Sequence, residues 1–256
     1  MPAPRVAFCL TLLSLMAGPA AAADHVTVLV EDAAGPWSNA DGTGMANDLV
    51  KAAYAAVGVD VTLTVVPYAR CKALVFNGAA AACFSMSEAP ELKGVVNLAD
   101  KPLFNVYPRF YQRAGKAVKL VDENGFHKGM RLGIVNAYEY PPAVLELARR
   151  GVVLEPARSD LVNLKKLAAG RIDVALIMTD ELKTEAMMMR QARVSGVTLA
   201  FQSEPMGSFI GFSATHAQGP RAQRLFNDGY ARITRDGGKR AIENKWRRLC
   251  AAGCDS

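Results

Sequence analysis

The chain has 256 residues, 51% hydrophobic, 21% charged and 7% aromatic, a globular composition that excludes disordered, collagenous and low-complexity classes. The formal charge of +6 is concentrated near the end, where Ala217 to Cys250 carries nine basic residues against Asp228, Asp236 and Glu243. The run reads as a solvated helix face, and nucleic acid is not an expected partner of an exported chain.

Residues 1–23 combine Arg5, an apolar run from Val6 to Met16 and the small-residue tail Ala20 to Ala23, the pattern of a secretory signal peptide. Beyond them no stretch approaches the roughly 20 uninterrupted apolar residues of a spanning helix. Val26 to Val30 reads as a strand, Gly44 to Val57 as an amphipathic helix, and Val61 to Val66 as a second strand. A helix from about Ala69 to Phe76, ended by Asn77-Gly78, leads to the uncharged strand Ala80 to Phe84.

Val106 to Arg113 opens a second cycle of the same kind. Strands are expected at Arg131 to Val135, Val152 to Leu154 and Ile172 to Met178. Helices are expected at Pro141 to Arg150 and from a cap at Asp160 to Ala169, and a third starts near Thr179-Asp180. Val197 to Phe201 and Phe209 to Ser213 are strands, and the helices Pro220 to Arg235 and Gly238 to Leu249 finish the chain, separated by Asp236-Gly237-Gly238. The alternation makes the class α/β. Without a Pro-, Gly- or Ser-rich linker, two lobes held by crossings near Gln112 and Pro205 are expected: 24–112 with 208–256, and 113–207. Four cysteines follow the leader, which in an exported chain read as disulfides with three possible connectivities. Spacing favours Cys71 with Cys83 and Cys250 with Cys254.

The motifs Gly35-Pro36-Trp37, Gly42-x-Gly44-x-x-x-Asp48-Leu49 and Pro67-Tyr68-x-Arg70 stand in the first half. Leu132-Gly133-Ile134-Val135 and Leu164-x-x-Leu167-x-x-Gly170-Arg171-Ile172-Asp173 stand in the second. In their order and spacing these resemble the family 3 extracytoplasmic solute-binding proteins, the amino-acid-type receptors of bacterial import systems, over nearly all of residues 24–256. The resemblance implies a type II periplasmic-binding-protein fold, two α/β lobes closing around a small polar solute. It further implies a monomeric periplasmic protein that delivers its solute to an inner-membrane ABC-type permease, without cofactor, metal or bond chemistry. Two departures stand out. Gly78-Ala79-Ala80-Ala81 lacks the family's Asp, and Ala89-Pro90-Glu91-Leu92 places Leu92 where amino-acid-binding members usually offer an Arg fork to the α-carboxylate. An ordinary α-amino acid is therefore not the expected solute.

Six residues are candidate ligand contacts, each with a structural alternative. Trp37 follows the first strand at its carboxyl end, where α/β folds collect ligands, and reads as an aromatic wall or an edge cover. Ser85 and Ser87 offer hydrogen bonds to a solute or to their own loop. Arg70 sits at a helix start, unfavourable for a cation, and needs either an anionic ligand group or an ion-pair partner. Tyr138, in Asn136-Ala137-Tyr138-Glu139-Tyr140, supplies a wall, a hydroxyl or packing. Asp180 resembles the family carboxylate that accepts an ammonium, and equally fits a helix cap. Enzyme templates fail: Gly207-Ser208-Phe209-Ile210-Gly211 lacks the spacing of a nucleophile elbow, and His25, His127 and His216 show no zinc-binding spacing. Two alternatives remain open: a periplasmic dehydratase of the cyclohexadienyl type, and a non-transport accessory protein of an exported oxidoreductase.

Overall fold

The computed structural model describes residues 24–115 and 120–254; the expected signal segment lies outside them. The chain opens on β1 (His25–Glu31), whose valines at 26, 28 and 30 are buried. A two-residue hairpin of β2 (Ala33–Ala34) and β3 (Ser38–Asn39) leads into α1 (Met45–Ala55). That helix is the crossover to β4 (Asp60–Val66), parallel to β1 over its whole length. Then come α2 (Tyr68–Phe76), β5 (Ala82–Met86) and β6 (Val96–Leu98), the last too short to read from the sequence.

β7 (Phe104–Arg113) is followed by β8 (Arg131–Val135), α3 (Pro142–Arg149), β9 (Val153–Ala157) and α4 (Asp160–Ala168). β10 (Val174–Thr179), buried throughout, precedes α5 (Glu185–Ala192) and β11 (Val197–Gln202). β12 (Met206–Ser213), α6 (Gly219–Arg235) and α7 (Gly238–Ala251) complete the described chain. Among the described residues no helix is long and apolar enough to cross a membrane.

The main sheet runs β4-β1-β5-β12-β7-β10-β8-β9, with β6 added to β12 and β11 to β7. β7 changes partners along its length. Phe104 to Val106 pair with β12, whereas Tyr107 to Gln112 pair with β10. The change of partners falls between Val106 and Tyr107. It follows from a ten-residue strand long enough to serve both lobes. The first lobe holds β1 to β6 with α1, α2, α6 and α7, and the second holds β8 to β11 with α3, α4 and α5.

Two helix starts differ from expectation. Ser159 caps α4, its side chain accepting from the amide of Val162, and Asp160 is buried one residue inside. Asp180 heads no helix: its Oδ1 takes the amides of Leu182 (2.8 Å) and Lys183 (2.7 Å) in a tight turn. Thr184 caps α5 instead.

The last two helices complete the first lobe. Ala222, Phe226, Gly229, Tyr230 and Ile233 form the buried stripe of α6. A Cβ on Gly229 would lie 1.8 Å from the carbonyl oxygen of Ala53, so α1 and α6 touch backbone to backbone there. The hydroxyl of Tyr54 donates to the carbonyl of Ala222 nearby, at 3.1 Å. Disulfides join Cys71 to Cys83 and Cys250 to Cys254, with Cα separations of 5.8 and 4.3 Å. The first ties α2 to β5, and the second closes the turn after α7.

Candidate functional site

The carboxyl ends of β1, β5, β8 and β10 face one another across the gap between lobes. The first lobe brings Glu31, the last residue of β1, Trp37 from the following loop, and Ser85 and Ser87 at the end of β5. It also brings Tyr68 and Lys72, which share a face of α2 because they are four residues apart. The second lobe brings Tyr138 and Glu139 from the segment after β8, Asp160 from α4, and the turn from Asp180 to Lys183.

These groups bond chiefly to one another. Trp37 donates its indole N–H to Oδ2 of Asp180 at 2.7 Å, across the cleft. Its ring lies 4.8 Å from that of Phe104, and the ammonium of Lys183 sits 4.6 Å from its centroid. Lys183 is ion-paired with Asp160 at 2.5 Å, both residues almost fully buried. The Tyr138 hydroxyl donates to Oε1 of Glu31, and its ring meets Tyr68 edge-on at 5.0 Å. Glu139 reaches into the first lobe, where its carboxylate accepts from the Tyr68 hydroxyl (2.7 and 2.9 Å) and the Ser87 amide (3.2 Å). Lys72 Nζ pairs with the same carboxylate at 2.7 Å.

Burial sets the protonation states. Desolvation pushes the Glu31 carboxyl up to about 8, against the lowering effects of the Tyr138 hydrogen bond and the Lys183 charge. Asp160 and Asp180 are raised for the same first reason, opposed by Lys183 in one and mainly by backbone amides in the other. The hydroxyls of Tyr68 and Tyr138 are pushed well up by burial and by the carboxylates they face. They are donors throughout the physiological range.

Little room is left. The cavity among Trp37, Ser85, Ser87, Tyr138, Glu139 and Ser208 measures about 20 Å³, enough for a water and far below the roughly 300 Å³ at which ligand pockets begin. The hydroxyls of Ser85 and Ser208 are buried there without a hydrogen-bond partner among the described residues. A larger hollow of about 450 Å³ lies at the rim, between the Asp32 to Asp41 loop and the start of α4. Arg158 spans it to Asp32 at 3.1 Å. The cavity between the lobes is the candidate site despite its size, because the buried polar groups of both lobes converge on it.

Five of the six sequence candidates come together here. Trp37 and Asp180 contact each other, Tyr138 bonds Glu31, Ser87 holds Glu139 and fixes its hydroxyl to the Gly207 carbonyl at 2.8 Å, and Ser85 lines the cavity. Arg70 does not join them. It is exposed, and its guanidinium makes no hydrogen bond or ion pair among the described residues. Two residues along a helix is about 200° of rotation, so the face carrying Tyr68 and Lys72 turns Arg70 outward. Glu31, Tyr68, Lys72, Glu139, Asp160 and Lys183 escaped the sequence reading. The available signals were a carboxylate ending an apolar strand and a Glu flanked by two tyrosines. Leu92 is buried in the first lobe's core beside Tyr68 and Cys71.

No family model matches the sequence, and no curated protein is similar to it in sequence. Solved structures do match. An ancestral arginine-binding protein bound to arginine aligns with a TM-score of 0.72 at 19% identity, over 87% of this chain and 97% of that one. A histidine kinase sensor domain with similarity to periplasmic binding proteins gives 0.73 at 16%, over 87% and 95%. An ancestral amino acid-binding protein, described as a precursor of cyclohexadienyl dehydratase, gives 0.67 at 16%, over 87% and 94%. The fold of this chain is thus the two-lobed fold of the periplasmic amino-acid-binding proteins.

Proposed function

We propose that the protein is a periplasmic solute-binding protein that captures a small polar solute between its lobes and passes it to an ABC-type permease. The observation that carries this reading is the convergence of buried polar side chains from two lobes on one cleft, two serine hydroxyls among them unpartnered. The lobes are taken as 24–112 with 208–256 and as 113–207. The solute is expected not to be a simple α-amino acid held through the family's Arg position. Leu92 is spent on the core, Arg70 faces solvent, and Asp180 is committed to Trp37 and two amides. Native mass spectrometry of the exported protein, followed by calorimetric screening of amino acids, polyamines, sugars and organic acids, tests this. A co-purifying polar solute is expected. Micromolar binding of an ordinary amino acid would overturn the exclusion.

A second reading has one observation in its favour. A cleft filled by its own side chains suits an accessory protein that has given up transport, and co-purification with a partner protein in place of a solute would support it. The dehydratase reading rests on the likeness in fold to a precursor of cyclohexadienyl dehydratase, and turnover of prephenate or arogenate decides it.

A further inference from the structure

We propose that Glu139 is a tethered occupant of a carboxylate-binding site on the first lobe, built from the Tyr68 hydroxyl, the Lys72 ammonium and the Ser87 amide. The cleft thereby closes on the protein's own side chain. All three donors belong to the first lobe and the acceptor to the second, so the contact exists only when the lobes are shut. Glu139 is 5% exposed, and a carboxylate so deeply buried is tolerable only when paired and hydrogen-bonded.

The donor set meets that need. A hydroxyl bridges both oxygens at 2.7 and 2.9 Å, an amide reaches Oε2 at 3.2 Å, and a cation reaches Oε1 at 2.7 Å. These are charge-assisted bonds from fixed donors. Lys72 is itself steered by the Ala137 carbonyl at 3.2 Å and Glu91 at 3.4 Å, and Tyr68 is held edge-on against Tyr138. The cavity alongside, about 20 Å³, has no space for a free carboxylate while Glu139 is in place. Covalent attachment gives this side chain an effective concentration that a dissolved acid does not match.

The inference concerns the same cleft as the solute-binding reading and names a class of molecule that competes for it, small monocarboxylates. Its test uses acetate, because Glu139→Ala deletes a CH₂–COO⁻ group, the size and charge of an acetate ion. Thermal unfolding and small-angle scattering would be recorded for the parent, Glu139→Ala and Glu139→Gln, with acetate titrated against chloride at equal ionic strength. Glu139→Ala should show a larger radius of gyration and a lower midpoint, both restored saturably by acetate, with the parent unmoved. Glu139→Gln keeps the shape but sets an amide NH₂ among donors, and it should be expanded and insensitive to acetate. If Glu139→Ala does not fold, the scattering of Glu139→Gln decides. Variants as compact as the parent, or an acetate effect equal in parent and variant, would overturn the proposal. Failure to find a co-purifying solute bears on the proposed function alone, and the acetate response bears on Glu139 alone.

Discussion

Glu31 carries the clearest pH signature at the level of single residues. Its carboxyl lies at about 8 in the folded protein, against an ordinary 4.5. The folded state therefore holds a proton that the unfolded state has released. Between these limits stability falls as pH rises, by at most about 1.4 kcal/mol per pH unit, and below 4.5 the contribution is complete. Urea unfolding across pH 5 to 8 should show this slope, and Glu31→Gln should flatten it. The pair Asp160 and Lys183 predicts a second outcome. Lys183→Met strands a buried carboxylate and should cost about 3–5 kcal/mol, whereas Lys183→Met with Asp160→Leu should recover most of it, as read from denaturant midpoints. Trp37, Tyr138 and Asp180 were legible because residue types with an obvious use stood at strand ends. Glu139 and Lys183 were not, because their roles depend on a partner more than 20 positions away, which no local pattern encodes.

At the level of elements, close approach explains the fixed position of α6. Gly229→Ala inserts a methyl group where the Ala53 carbonyl already sits, and α1 and α6 must separate. Overpacking of this kind costs about 1–3 kcal/mol; a drop in thermal midpoint, with far-ultraviolet dichroism preserved, would confirm it. The Cys71–Cys83 disulfide encloses 12 positions of chain, and the loop-entropy account assigns it roughly 3 kcal/mol. Denaturant unfolding of Cys71→Ala with Cys83→Ala should show a loss of that order. Strand and helix identities followed from periodicity, since Val26, Val28 and Val30 alternate into the core and Leu49, Val50 and Ala53 repeat at helical spacing. The misplaced start of α5 has a local cause: an aspartate that accepts amides two and three residues ahead looks the same in sequence whether it opens a helix or a turn.

At the level of the whole molecule, the cleft bonds predict that the protein is closed without added solute. Scattering should give a radius of gyration near the compact-chain value of about 17 Å. Trp37→Phe, which loses the bond to Asp180 while keeping the ring, should enlarge it. Two lobes were legible because the α/β cycle repeats. That β7 serves two sets of partners was not, because it is one uninterrupted strand.

The position of β12 between β5 and β7 has a consequence for the order in which the chain folds as it is made. The second lobe is a single contiguous stretch and has all its strands once β11 has emerged. The first lobe cannot finish then: its sheet lacks the strand that covers the β5 edge, and α1 lacks the helix that covers its apolar face. Its opening segment must wait through nearly the entire chain for its own end to arrive. A nascent chain halted after residue 205 should therefore present a folded second lobe and a protease-sensitive first one, the reverse of the order in which the two begin.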